Sequence, residues 1–461
     1  MLVELQGQLT TGENFYRAFA KRDSAFKIST KTKENSEKTH QNINCPKTTG
    51  YNKYFDPQRI YPSNPCQQKI LLITQYRGGS TLSAEFFNQL KNAVYLFEPL
   101  AMYDIETIQN MLSLGSVFYD HKIRGEKYFS YIESRQIEVL NDLYDCKLPD
   151  LDKILTDEFL AQVKKYNLKK KQANRLRSFR EQGMIFPSDT KNIYENPFCP
   201  NSVYKEQNKW PEFKKCLTNQ ENGTALFKER LKTHWTNFCR SKSIISSKVI
   251  RFERPEVLLK TELYQDPNFK IILVIRDPRG ILNSRLKNYT YLKDKKLQFL
   301  KKNIVQLKYR YLSYLKLLEI DPQNQKILIL RYEDFAVNTN AGVKKIFEFL
   351  NYDIINNEDH KKAFINISEK LYQQTNAKDN SNVKISFGTG SRNASETIIK
   401  WAKELPWRTV EKIQNGFGDE ETWKRFGYPY FGSREEYENY KPVKNVRDNW
   451  FDQEYRIISD Y

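Results

Sequence analysis

Two short stretches of this sequence combine residue types that bind anions. The first is Tyr76-Arg77-Gly78-Gly79-Ser80-Thr81-Leu82. Glycines let a backbone approach a ligand closely. Ser80 and Thr81 add hydroxyl donors, and Arg77 adds a permanent charge on a planar fork suited to phosphate or sulfonate oxygens. Set between a buried strand and a helix, such a loop offers an anion free N–H groups and the positive end of a helix dipole. Read alone, the stretch fits a capped helix after a tight turn equally well. It is not a Walker A loop, which needs G-x-x-x-x-G-K-[ST], and it is not G-x-G-x-x-G.

The second stretch is Arg276-Asp277-Pro278-Arg279, with Ser284 eight residues after Arg276. A strand-end arginine and a serine on the following helix suit a second phosphate. Two strand-to-helix anion sites point to a ligand with two separate phosphate groups, bound at the carboxyl edge of a parallel sheet. An ordinary salt-bridged strand end is the alternative for Arg276 and Asp277. A third element is Glu98, in Leu96-Phe97-Glu98-Pro99-Leu100, 18 residues past Ser80. A carboxylate there is placed to act as a general base, and its apolar flanks suit proton abstraction near neutral pH. A plain charged strand end is again the alternative. His40, His121, His234 and His360 lie outside these motifs, which disfavours a histidine base.

These residues need a scaffold of alternating strands and helices, and the hydrophobic pattern supplies one. Short apolar runs at 69–74, 94–97, 248–252, 270–276 and 326–331 read as buried parallel strands. Helical spacing follows the first run at Leu82, Phe86, Phe87 and Leu90, and recurs from about 281, over 294–319, 341–350, 394–404 and 407–415. The fold class expected is therefore α/β, a central parallel sheet flanked by helices on both faces. Residues 1–67 are polar, punctuated by proline near their end, and read as a stem or linker. Residues 68–432 form the expected single domain, with a helical, basic insertion at about 103–240, and 433–461 form a tail. The insertion carries a run of cations from Lys164 to Arg180, which fits a solvated helix face.

The chain has 461 residues, enough for a large core, and a net charge of +19. At 39% hydrophobic and 14% aromatic residues, collagen-like, low-complexity and wholly disordered chains are excluded. The charge surplus favours anionic partners, whether nucleic acid, acidic glycan, phosphorylated cofactor or anionic lipid, unless it is only a solvated surface. No run of ~18 apolar residues and no signal-peptide pattern is present, so the literal reading is a soluble cytosolic protein. Six cysteines occur without a C-x-x-C pair, which disfavours zinc and thioredoxin-like sites; 15 disulfide pairings stay open. N-x-S/T sequons begin at Asn222, Asn288, Asn366 and Asn393, and matter only in a secretory compartment.

The residues 74–100 and 272–286 together resemble the sulfotransferase family, in particular the Golgi carbohydrate sulfotransferases of the N-acetylglucosamine/galactose 6-O type. The first segment is similar to their 5′-phosphosulfate loop and the F-E-P-L after it, and the second to their 3′-phosphate motif. Arg331-Tyr332-Glu333-Asp334-Phe335 resembles the family's R-Y-E-D-L. Gly388-Thr389-Gly390-Ser391-Arg392, Trp401 and Gly427-Tyr428 resemble its C-terminal pattern. The likeness covers about 68–430.

The resemblance implies a P-loop-like sulfotransferase fold and the donor 3′-phosphoadenosine-5′-phosphosulfate, with no metal required. It implies that Arg77, Gly78, Gly79, Ser80, Thr81 and Leu82 hold the 5′-phosphosulfate end, and that Arg276 and Ser284 hold the 3′-phosphate. Arg392 also reaches the nucleotide, and Glu98 is the base. The implied acceptor is a sugar 6-OH on a glycoprotein or glycosaminoglycan, not nucleic acid, and the implied place is the Golgi lumen. Two departures stand out. The family's N-terminal membrane anchor is absent, which in that light reads as an anchor missing from this chain. A cysteine the family usually carries is replaced by Phe417. Cys146 and Cys239 match family-like contexts. Two alternatives stay open: a P-loop-like nucleotide kinase or phosphotransferase, and a catalytically inactive binding homologue.

Overall fold

The computed structural model describes residues 64–100, 121–147, 235–288, 296–321, 325–376 and 394–440, except 80–82, 85, 88, 89, 91, 98, 251 and 253. Five strands form one sheet: β1 (Gln68–Ile73), β2 (Ala93–Phe97), β3 (Ile244–Val249), β4 (Phe269–Ile275) and β5 (Ile327–Arg331). Their spatial order is β2-β3-β1-β4-β5, and every neighbouring pair is parallel. Registers such as Leu71 opposite both Ser247 and Ile271 align the carboxyl ends of the three central strands.

Both faces of the sheet are covered, which is why the strands read as near-continuous apolar runs. Leu71, Ile73, Ile245, Ile271 and Leu273 face a core shared with α1 (His121–Tyr144), α2 (Pro278–Asn288) and α3 (Lys296–Ile320). Ile70, Leu72, Ile244, Ile272 and Val274 face the other way, against Phe86 and Phe87. They also meet α4 (Tyr332–Val337), α5 (Thr339–Phe349) and α6 (Glu358–Asn376), with Ile398 and Ile399 of α7 (Ala394–Glu404). The α/β class with a parallel sheet between helices is thus what the molecule has.

Four strands fall within a residue or two of their expected places. The exception is β3, which starts at Ile244 rather than 248 because its middle is polar. Ser246, Ser247 and Lys248 are all buried there, and Ser246 Oγ donates to the carbonyl of Val94 at 3.0 Å. Helices α4, directly after β5, and α6 carry no clear sequence signal. Packing continues past residue 432. Tyr437 lies in the short helix Arg434–Glu438, beyond α8 (Trp407–Phe417) and α9 (Glu420–Arg425). Its hydroxyl contacts the carbonyls of Ala402 and Leu405 at 2.9 and 2.6 Å.

Cys146 and Cys239 form a disulfide with Cα atoms 5.4 Å apart, one of the pairings left open in the sequence. It ties the residues just after α1 to the helical segment before β3 across 93 residues. Closing a loop of that length stabilises a fold by about 4–5 kcal/mol in the chain-entropy model. Among the described residues, no helix is long and apolar enough to cross a membrane. The basic run at 164–180 lies outside the described residues.

Candidate functional site

The order in which strands are added reverses at β1: β2 and β3 lie on one side of it, β4 and β5 on the other. In an open parallel sheet that reversal leaves a crevice at the carboxyl ends of the strands. Arg77 follows β1 and Arg276 follows β4, so the two anion motifs stand at adjacent strand ends.

They are in direct contact. The side chain of Arg77 donates from Nε to Ser284 Oγ at 2.9 Å. The carbonyl of Arg77 accepts from Arg276 Nη1 at 2.8 Å. Those bonds hold Arg77 at a φ of 68°, in the left-handed region that costs a side-chain-bearing residue about 1 kcal/mol. Gly78 closes the preceding turn, its N–H donating to the carbonyl of Gln75 at 2.7 Å. Gly79 has a φ of 87°, and a Cβ there would stand 2.0 Å from the ring of Tyr332. Ser80, Thr81, Leu82, Glu98 and Arg392 lie outside the described residues. Of the site residues read from the sequence, Arg77, Gly78, Gly79, Arg276 and Ser284 are described, and the structure brings Arg77, Arg276 and Ser284 into contact.

Arg276 is 7% exposed and in place through three contacts. Its backbone N–H donates to Tyr311 Oη at 3.1 Å, and the Tyr311 hydroxyl donates back to its carbonyl. Its guanidinium lies 4.5 Å over the ring of Tyr332. Its Nε is buried without a hydrogen-bond partner among the described residues, a spare cationic donor.

The neighbouring charges have a different role. Arg279 is fully buried and pairs with Asp277 through Nε to Oδ1 at 3.0 Å and Nη2 to Oδ2 at 2.8 Å. Its Nη1 donates to Gln414 Oε1 at 3.0 Å, and its guanidinium lies within 4.2 to 5.1 Å of the rings of Trp401, Trp423 and Phe431. Arg279 thus anchors the second loop to α7, α8 and α9. Arg285 does the same for the first loop. Its Nε and Nη2 donate to the carbonyl of Tyr76 at 3.2 and 3.1 Å, and its Nη1 to Asn303 Oδ1 at 2.7 Å.

Helix α3 holds the strand ends from below. Tyr311 grips Arg276 after β4, and Arg310 Nη1 donates to Gln75 Oε1 after β1 and to the carbonyl of Ile250 after β3, both at 2.9 Å. Glu333, on α4, joins the second loop to the C-terminal segment. Its Oε1 accepts from the N–H of Asp277 at 3.0 Å and its Oε2 from Tyr428 Oη at 3.2 Å. Burial pushes the Glu333 carboxyl above its ordinary value, against the pull of Arg331 and Arg276. Burial, with Glu333 beside it, also pushes the Tyr428 phenol well up.

Sequence reasoning did not assign Arg285, Arg310, Tyr311, Tyr332 or Glu333 to the site. Tyr332 and Glu333 stand inside the quoted R-Y-E-D stretch without a role. Arg285 is the residue after Ser284. Nothing local marks Arg310 or Tyr311. Among the described residues no cluster of His, Cys, Asp and Glu is built to hold a metal ion.

The sulfotransferase domain model matches residues 67–427. Carbohydrate sulfotransferase 1 of Rattus norvegicus is 26% identical over 385 residues, covering 80% of this chain and 81% of that protein. The Homo sapiens carbohydrate sulfotransferase 1 is 26% identical with the same coverage, and carbohydrate sulfotransferase 3 of Mus musculus is 23% identical over 82% of this chain and 73% of its own. A solved structure, the sulfotransferase STF9 from Mycobacterium avium, aligns over 74% of this chain and 76% of its own at 12% identity and a TM-score of 0.30. The kinase alternative falls with the domain match. Both anion loops, the R-Y-E-D helix and the segment through Tyr428 form one connected site, nearly all of it inside the matched span, and the chain belongs to the sulfotransferase family.

Proposed function

We propose that this enzyme moves a sulfonate group from 3′-phosphoadenosine-5′-phosphosulfate to a sugar hydroxyl, the 6-OH of N-acetylglucosamine or galactose in a glycan. The observation that carries the donor half is the meeting of Arg77, Arg276 and Ser284 at adjacent strand ends. One cationic cluster contacting both loops suits a ligand with phosphates at two ends. The residues fit such a donor on a further count: the buried Arg276 Nε has no protein acceptor among the described residues, as expected of a donor kept for an anion. The sugar acceptor is supported by the names of the relatives, which are carbohydrate sulfotransferases.

When bound, the donor supplies the sulfonate group and departs as 3′,5′-bisphosphoadenosine. Arg276 and Ser284 hold the 3′-phosphate. Arg77, with the amides and hydroxyls of Gly78, Gly79, Ser80 and Thr81, holds the 5′ end and stabilises charge gathering on the leaving oxygen. Leu82 and Arg392 complete the nucleotide contacts. β2 ends at Phe97, one residue before Glu98. Glu98 takes the proton of the acceptor hydroxyl as its oxygen attacks in line. The reaction is then positioning plus electrostatics, with arginine and backbone supplying the charge that a metal supplies elsewhere.

The partner is a glycan chain on a glycoprotein or glycosaminoglycan, and the setting is the Golgi lumen. The catalytic domain begins at about residue 68, after a stem at 1–67, and its packing runs past 432 through Tyr437. The deciding experiment is transfer of radiolabelled sulfate from the donor to a panel of glycans, tyrosine peptides and small phenols. Label on 6-hydroxyls of terminal sugars is the expected result. Label on peptides or phenols alone overturns the acceptor class.

A further inference from the structure

We infer that Tyr332 is a positioning residue that sets the distance between the two phosphate-binding loops, and so makes the site selective for a nucleotide carrying both a 5′ and a 3′ anion. The inference rests on the donor reading above and deepens it.

Tyr332 opens α4, directly after Arg331 at the end of β5. Its single ring meets both loops. On one side is the turn at Gly79, so near that a Cβ would stand 2.0 Å from Cδ2 and 2.6 Å from Cε2. On the other is the Arg276 guanidinium, 4.5 Å from the ring centroid. Only a glycine lets the ring reach the first loop, and only a flat aromatic face suits the cation of the second. The ring is 8% exposed and the arginine 7% exposed, so both are packed in one arrangement. Arg276 in turn bonds the carbonyl of Arg77, which closes a ring of contacts through Gly79, Tyr332, Arg276 and Arg77. A rigid spacer of this kind lowers the ordering that a two-ended ligand must otherwise impose.

The test measures binding of 3′,5′-bisphosphoadenosine and of adenosine 5′-monophosphate by calorimetry, with melting temperatures alongside. Tyr332→Phe keeps the ring and is expected to keep the preference for the bisphosphate. Tyr332→Met fills the space without a flat face and should lose about tenfold in bisphosphate affinity. Its loss for the monophosphate should be smaller, so that the preference narrows. In an Arg276→Ala background the same Tyr332→Met change should no longer narrow it. Tyr332→His retains a flat ring and supplies the comparison if Tyr332→Met does not fold; it should stand between the other two. An unchanged preference in Tyr332→Met, or an equal narrowing with and without Arg276, overturns the inference. If the unmodified enzyme itself shows no preference for the bisphosphate, the donor reading fails instead.

Discussion

Arg77 and Ser284 are 207 residues apart in sequence and 2.9 Å apart in the fold. The bond joins the loop after β1 to the helix after β4, and it runs between two groups each suited to its own phosphate. On the donor reading proposed above, side chains assigned to opposite ends of one nucleotide are in direct contact. The arrangement also explains the strained φ of Arg77: its side chain and its carbonyl are each claimed by the second loop.

If Arg276 and Ser284 serve the 3′-phosphate, their loss must be felt mainly at that group. Arg276→Ala should weaken 3′,5′-bisphosphoadenosine by ten- to a hundredfold, about 1.5–3 kcal/mol for a charge-assisted bond. Ser284→Ala should cost less, about fivefold, as for a neutral bond. Neither should change the affinity for adenosine 5′-monophosphate by comparable amounts. Calorimetry with both nucleotides decides the matter. Equal losses for the two ligands would place these residues elsewhere.

The anion loops were legible in the sequence because they are local. A strand, a turn and a helix start lie within a dozen residues, and Arg77, Gly78 and Gly79 declare the turn between them. Parallel strands were legible for the same reason, since burial on both faces leaves an apolar run. β3 hid four of its six residues because Ser246 and Ser247 are polar yet buried, and periodicity cannot register that. The support of the site was not legible at all. Arg310 reaches Gln75 across 235 positions and Arg279 reaches Gln414 across 135. Such contacts depend on topology, and a cation that serves a ligand is indistinguishable in sequence from one that anchors a helix. Arg276 and Arg279 illustrate this: three residues apart, one keeps a buried donor without a hydrogen-bond partner among the described residues, and the other is saturated by protein partners.

Glu98 carries the proposed base role. Glu98→Gln keeps size and hydrogen bonding but cannot take a proton. Transfer should fall by at least a hundredfold, the lower end of what general base catalysis contributes. Affinity for 3′,5′-bisphosphoadenosine should stay within about twofold, since that nucleotide lacks the acceptor. Single-turnover rates and calorimetry on the same preparation separate the two quantities. Unchanged turnover would remove Glu98 from the mechanism.

Arg279 is expected to matter for stability rather than for binding. Arg279→Met should leave Asp277 buried with its charge unpaired, at a cost of about 3–5 kcal/mol. Urea unfolding should show this as a large fall in midpoint. Arg279→Lys should recover only part of it, because a point charge cannot reproduce the bidentate pair or lie flat between the rings of Trp401 and Trp423. A variant that unfolds normally yet binds nucleotide weakly would show that Arg279 faces the ligand after all.

Glu333 gives the fold a pH dependence of a definite sign. Burial raises its carboxyl above the ordinary value of 4.5, so the folded state holds this proton more tightly than the unfolded chain does. The contribution of Glu333 to stability is then complete below about the unfolded value and is lost as the pH rises through the folded one. The charges of Arg331 and Arg276, and the N–H of Asp277, act against burial and favour the ionised form. Glu333→Gln removes the titration while keeping the volume. Compared by urea unfolding at pH 5 and pH 7.5, the unmodified protein should gain on the Gln variant as the pH is lowered. A difference that is constant with pH would mean that the Glu333 carboxyl titrates alike in the folded and unfolded chains. One that moves the other way would mean that the two hydrogen bonds and the nearby arginines outweigh burial, and that Glu333 is held as an anion throughout.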